Sequence, residues 1–279
     1  MTYKTLIVHL DAGERRTERL EIACMLAARF DAHLVGLFAL APLPVPFAFA
    51  GTAGAVLEIE SRWRDEAAAL ARQQFEAAAA RHGVRGREWR ESQVEPLRTM
   101  LLSARYADLV VLGQRESAAT TAADRVPADF VEDTVLGAGR PALIIPYAGR
   151  FTRLGERVLL AWNGGREAAR ALADALPILQ AARHVEVVAF DPRSGGADHG
   201  EQPGADIALY LARHGVKATA AQQHAGIDVG EQILSRAADT DADLIVMGAY
   251  GRSRTRELVL GGATRTVLGS MTVPVLFSH

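Results

Sequence analysis

The chain has 279 residues, 31 Lys plus Arg against 33 Asp plus Glu, a net charge of -2 and one cysteine. That length fits about two ordinary globular domains. The near-neutral balance, with no basic stripe interleaved with aromatics, excludes nucleic acid as a principal partner, and a lone cysteine excludes an intramolecular disulfide and any CxxC redox or zinc site.

Met1-Thr2-Tyr3-Lys4 passes directly into an apolar strand, with neither a charged-then-apolar leader nor an apolar run of transmembrane length, so the sequence predicts a cytoplasmic protein without a membrane partner. Thr5 to Gly13 (TLIVHLDAG) is that strand, ending in Asp11 and a glycine. His9 inside it reads as a hydrogen-bonded interior histidine. An alanine- and leucine-rich helix follows, with Cys24 as a buried, inert thiol on its apolar side, and then a strand at His33 to Leu40. In Ala41 to Ala55, prolines at 42, 44 and 46 exclude a regular helix. That segment reads as a loop whose Phe47 and Phe49 pack on the protein, or as a lid or apolar pocket over the first crevice. A helix is predicted from Glu58 to Arg81, a strand over Ala107 to Gly113, and a last strand after Pro141.

The pattern then repeats. Arg157 to Gly165 (RVLLAWNGG) parallels Thr5 to Gly13, and Val185 to Phe190 parallels the second strand. Ala242-Asp243-Leu244-Ile245-Val246-Met247-Gly248 parallels Ala107 to Gly113, and Val273-Pro274-Val275-Leu276-Phe277 parallels Arg140 to Ile144. Two copies of one module, 1–148 and 153–279, are joined near Ala148 to Arg153. The polar, glycine-rich Asp191 to Gly204 reads as a mobile loop. Near-continuous Val/Ile/Leu runs alternate with helices such as Glu167 to Gln180 and Val229 to Asp239, which predicts in each copy an open α/β sheet of about five parallel strands covered on both faces. Ligands of such sheets bind beyond the carboxyl ends of the strands, where strand order reverses.

Met247-Gly248-Ala249-Tyr250-Gly251, followed by Gly261-Gly262-Ala263-Thr264, stands at that position in the second copy. Its glycines read either as a tight turn needing positive φ or as a cradle of backbone amides for a phosphate, aided by the free N–H groups at the start of a helix near Gly262. Thr264 could add a hydroxyl. A Walker A loop is excluded because no lysine follows the glycines, and Asn163-Gly164-Gly165-Arg166 lacks a dinucleotide fingerprint. Trp162 reads equally as a base-stacking platform or as packing between sheet and helix. Arg252, Arg254 and Arg256 read as a solvated face before they read as a phosphate clamp.

An apolar strand ending in Asp/Asn-Gly, closed by G-x2-G-x9-G, a helix and a Pro-Val-Leu strand, resembles the universal stress protein family in its tandem two-domain form. The resemblance covers nearly the whole chain, with Ala242 to Phe277 its most specific part. It implies a Rossmann-like, adenine nucleotide alpha hydrolase-like sheet in order 3-2-1-4-5, with the copies packed as an intrachain pseudo-dimer that leaves further homo-oligomerisation open. The family divides into members that bind ATP through this motif and members that do not. Carried over by position, the resemblance sets adenine and ribose near Ala161, Trp162, Asn163 and Ala189. Phosphates, with Mg, then lie along Met247, Gly248, Tyr250, Gly251, Gly261, Gly262, Ala263 and Thr264. Gly262 stands where the family has Ser or Thr, and Asn163 where it has Asp; both departures weaken ATP binding.

In the first copy Gln114-Arg115-Glu116 follows Gly113, Asp129 aligns with Gly262 and Val131 with Thr264. A carboxylate at that helix start competes with phosphate, so this copy is expected to bind no nucleoside triphosphate, although Asp11 holds the position of a ribose-binding carboxylate. Its role reads as structural, or as recognition of a different ligand. The eight histidines are scattered and no Ser/His/Asp set is evident, so no residue is assigned to a metal or to catalysis. The expected function is binding or regulation in a stress response, with a slow nucleotide hydrolase and a non-nucleotide-binding interaction scaffold as alternatives.

Overall fold

Apolar runs buried on both faces need a cover above and below, and the helices supply it. The structure, a computed structural model, describes residues 2–42, 53–92, 94–115, 125–190, 204–223, 228–251 and 262–279. The first half runs β1 (Thr5–Leu10), α1 (Arg16–Phe30), β2 (His33–Ala39), α2 (Ala53–Arg81), β3 (Arg87–Ser92), α3 (Pro96–Ala104), β4 (Leu109–Gly113), α4 (Phe130–Gly137) and β5 (Ala142–Ile145). The second repeats it as β6 (Arg157–Trp162), α5 (Arg166–Ala181), β7 (His184–Phe190), α6 (Ala205–Arg213), β8 (Ala218–Gln223), α7 (Val229–Asp239), β9 (Leu244–Gly248), α8 (Gly262–Ser270) and β10 (Val275–Ser278).

Within each half the strands are parallel in the order 3-2-1-4-5. The two expected sheets are in fact one: β5 and β10 pair antiparallel, Ile144 with Val275 and Ala142 with Phe277, giving ten strands ordered β3-β2-β1-β4-β5-β10-β9-β6-β7-β8. The hydrophobic layers follow suit. One contains α1, α2, α5 and α6 residues such as Leu20, Phe75, Ile178 and Leu211; the other contains α3, α4, α7 and α8 residues such as Met100, Phe130, Ile233 and Val267. Each layer draws on both halves, so the core is continuous across the join.

Polar contacts lock the same join. The Tyr3 hydroxyl donates to the Asp174 carbonyl at 2.7 Å and Arg29 Nη1 to the Leu154 carbonyl at 2.8 Å. Buried Gln114 donates through Nε2 to the Leu268 carbonyl at 2.7 Å and accepts from the Tyr147 amide at 3.1 Å.

The repeated Ala-Asp dipeptides act as staples. Asp108 accepts from the amides of Lys4 and Thr5, and Asp243 from those of Glu156 and Arg157, which ties the entry of each half's first strand to its fourth. The loop reading of Ala41 to Ala55 needs one correction at its end: Ala53 to Ala55 are the first turn of α2, which therefore starts at Ala53 instead of Glu58. Past the last proline only Gly54 opposes helix there, and a single glycine costs about 1 kcal/mol. Residues 43–52, with Phe47 and Phe49, lie outside the described residues, as does most of Asp191 to Gly204. No helix among the described residues is long and apolar enough to cross a membrane.

Candidate functional site

At the carboxyl ends of β6 and β9 the strand order reverses, and the chain leaves the two strands on opposite faces of the sheet. A cavity of ≈ 170 Å³ fills the crevice so formed. Ala161, Trp162 and Asn163 line it from the end of β6, Met247, Gly248, Tyr250 and Gly251 from the end of β9, and Gly262, Ala263 and Thr264 from the first turn of α8. Ala189, paired with Trp162, is buried on the opposite face of the pleat, where the Trp162 ring also packs, against the layer of α1, α2, α5 and α6; Phe190 lines the cavity instead. Gly261 and the arginines at 252, 254 and 256 lie outside the described residues.

The turn reading of the glycines does not hold, because neither Gly248 nor Gly251 has positive φ. Gly248 is there for space: a Cβ would lie 2.5 Å from the Ala168 nitrogen and from the Glu167 carbonyl carbon. The left-handed residue of the loop is Tyr250, at φ 60. Its amide donates to Thr264 Oγ1 at 3.3 Å, so that hydroxyl braces the loop. The Tyr250 hydroxyl is buried with no hydrogen-bond partner among the described residues. Burial raises its pKa, as do Glu132 and Asp133 on α4 of the other half. Asn163 Oδ1 accepts from the Gly165 amide at 2.9 Å, as Asp11 Oδ1 does from Gly13 at 2.9 Å. The repeated Asp/Asn-x-Gly is thus a side-chain-closed turn in both halves.

Sequence reasoning missed the apolar wall and the two carboxylates of the crevice. Ala168 from α5 and Val229 and Ile233 from α7 complete the lining. Asp228 caps α7, accepting through Oδ1 from the amides of Gly230 (2.9 Å) and Glu231 (3.3 Å), and its Oδ2 lies 3.8 Å from where a Gly262 side chain would begin. An Asp directly before an expected helix start was the available signal. Glu167 Oε2 lies 3.1 Å from where a Gly251 Cβ would stand. Burial works to raise its pKa, but the hydrogen bond from Arg166 and nearby positive charge hold it below the usual carboxylate range.

The first half fills the matching space with its own side chains. Counting from the turn residues Asp11 and Asn163, Arg16 and Arg19 stand where the second half has Ala168 and Ala171. Arg19 Nη2 donates to Asp11 Oδ2 at 2.7 Å, and its guanidinium lies against Gly113, the counterpart of Gly248. Arg16 donates to Gln74 and to the carbonyls of Ala12 and Gly13. Burial opposes charge on Asp11, but Arg19, His9 and the Gly13 amide hold its carboxyl below the usual range. The carboxylate expected to meet a ribose is therefore spent on an internal ion pair. His9 donates from Nε2 to the Ala39 carbonyl at 2.9 Å and packs on Phe130; burial pushes its pKa down to about 4. Cys24 is buried, which pushes its thiol up to about 12.

Residues 155–279 match the model of the universal stress protein family. Among solved structures, a universal stress protein from Archaeoglobus fulgidus DSM 4304 is similar over 98% of this chain and 97% of its own, at 17% identity and a TM-score of 0.71. A functionally unknown protein from Pseudomonas aeruginosa PAO1 is similar over 99% of this chain and 92% of its own, at 14% identity and a TM-score of 0.59. At those identities the likeness is one of fold, and it spans both halves. No curated protein matches the sequence. Residues 155–279 therefore carry a universal stress protein domain, and the first half repeats the same fold within one sheet.

Proposed function

We propose that this protein is a stress-response binding or regulatory protein that takes an adenine nucleotide or nucleoside in the crevice of its second half. The division of labour falls at residues 148–153, with the first half silent toward that ligand. One observation carries the reading: the cavity at the strand-order reversal is lined by Phe190 and the apolar side chains of Val229, Ile233 and Met247, by glycine backbone, and by the amino terminus of α8. An aromatic and apolar lining suits a purine, and free helix N–H groups suit an anionic or polar tail. A cavity of ≈ 170 Å³ matches a single ring system, since ~150 Å³ takes benzene and whole drug-sized ligands need roughly 300 Å³ or more. The base is thus enclosed while sugar and phosphate lie at the open mouth.

With Mg-ATP as ligand, the amides of Gly262 and Ala263 would meet phosphate, and Phe190 would flank the base. The Thr264 hydroxyl, held by Tyr250, adds little. Among the described residues no three His, Cys, Asp or Glu side chains gather to hold a metal ion, so any Mg arrives with the phosphates.

Calorimetric titration of adenosine, AMP and Mg-ATP tests the reading. Binding of at least one ligand is expected, weakened about tenfold in Phe190→Ala by loss of the aromatic wall. No heat and no thermal shift with any of the three at millimolar concentration would overturn it. Sustained phosphate release from ATP, abolished in Gly251→Val, would assign the slow hydrolase instead.

A further inference from the structure

We propose that the Asp228 carboxylate makes this crevice select an adenine nucleoside or monophosphate over a triphosphate. The inference rests on the adenine reading above and concerns the charge that the site tolerates.

Gly230 is the source of the geometry. A Cβ there would lie 2.6 Å from Thr266 Cβ and 2.9 Å from the Ala263 carbonyl oxygen, so only glycine lets the amino ends of α7 and α8 approach this closely. The close approach sets the α7 cap, Asp228, beside the first turn of α8. Asp228 Oδ1 is engaged by the amides of Gly230 and Glu231, and Oδ2 is the oxygen turned toward Gly262. Val229 and Ile233, the next residues along α7, line the cavity, so the cap stands at its rim. A phosphate accepting from the first amides of α8 would come within roughly 4–8 Å of that carboxylate. Glu167, held charged by its ion pair with Arg166 at 2.5 Å, lies beside Gly251.

Two consequences follow for a phosphate tail. The helix amino terminus that attracts one phosphate is already partly neutralised by a carboxylate, and every further phosphate adds charge near two carboxylates. A purine and an uncharged sugar meet neither penalty. At an open mouth, solvent and salt screen the repulsion to an effect of about tenfold in affinity per flanking carboxylate. Gly262 sharpens the bias, since no side-chain hydroxyl stands between phosphate and Asp228.

Adenosine and ATP, titrated separately into the parent protein and Asp228→Asn at one low ionic strength, decide the matter. Asparagine keeps the helix cap, so the fold is retained, and an unchanged melting temperature verifies it. In the parent, adenosine binds more tightly than ATP. In Asp228→Asn, ATP tightens about tenfold and adenosine changes less than about twofold. Higher salt narrows the gap between the two ligands more in the parent than in the variant. Adenosine binding with an ATP-to-adenosine ratio identical in both proteins overturns the selectivity and leaves the adenine reading standing. ATP binding more tightly than adenosine in the parent does the same. Binding of neither ligand overturns the adenine reading and this inference with it.

Discussion

Replacing Gly248 by alanine tests whether the crevice depends on backbone meeting backbone. The added Cβ would sit 2.5 Å from the Ala168 nitrogen and the Glu167 carbonyl carbon and 2.8 Å from Glu167 Cβ. Ordinary separation is roughly 3.5–4.0 Å, so β9 or the first turn of α5 must yield by about 1 Å. Neither moves freely, because α5 buries Ala168, Ala171, Leu172 and Ala175 against the sheet. Overpacking costs typically ~1–3 kcal/mol, and backbone on the receiving side puts this case near ~3. At about 2–4 °C per kcal/mol for a chain of this size, Tm falls by roughly 6–12 °C. Urea unfolding with an unchanged m-value is the direct assay. The first half supplies an internal comparison: a Cβ at Gly113 meets Arg19 Nη1 at 2.8 Å and Cδ at 3.0 Å, side-chain atoms that can shift, so Gly113→Ala costs about 1 kcal/mol. A Gly248→Ala protein within about 0.5 kcal/mol of the parent, or a larger loss in Gly113→Ala, would refute the close-approach reasoning.

Two further outcomes follow from buried polar groups. His9 titrates at about 4 in the folded protein against about 6.5 unfolded. Between those values the unfolded chain takes up a proton that the native state refuses. Its contribution to stability is therefore whole above about pH 6.5 and declines by up to ~3 kcal/mol as pH falls to about 4. Urea midpoints across that window should show a shallower pH slope in His9→Asn, and an identical slope in both proteins would contradict the assignment. Gln114→Ala leaves the Leu268 carbonyl and the Tyr147 amide without their partner, at ~1–3 kcal/mol. Hydrogen exchange should quicken in β5 and β10 first; uniform quickening across the sheet would mean that Gln114 does not clamp the join.

Local order determined which features the sequence revealed. Apolar runs in β1, β6 and β9, the alternation with helices, and the duplicated Ala-Asp-Leu motifs all depend on residues close in the chain, and they carried the fold class and the repeat; the strand order of each half came with the family resemblance. Most of the crevice was legible for the same reason, since strand ends and a helix start bring their own neighbours. Phe190 replaced Ala189 because the face of a pleat turns on a one-residue register. The antiparallel β5–β10 pairing was invisible, for it joins strands whose sequences carry no mark of their partner. Arg16 and Arg19 carry no signal of burial in the sequence; only the fold shows them buried, with Arg19 against Asp11 and Gly113. Asp228 went unread as a helix cap, and its second office, facing α8, comes from the close packing at Gly230.

Joining the halves through β5 and β10 has a consequence for how such a molecule can vary. In a dimer of identical subunits every substitution appears in both crevices at once, so a plug that closes one closes the other. Here the two crevices are encoded separately while the interface between them stays covalently assured. Arginines at positions 16 and 19 fill one crevice, and alanines at 168 and 171 keep its counterpart open. The filled half still contributes half the sheet and one side of the join. Asymmetry of this kind lets one copy become pure scaffold without any loss of pairing, and leaves the crevice of the other free to vary alone.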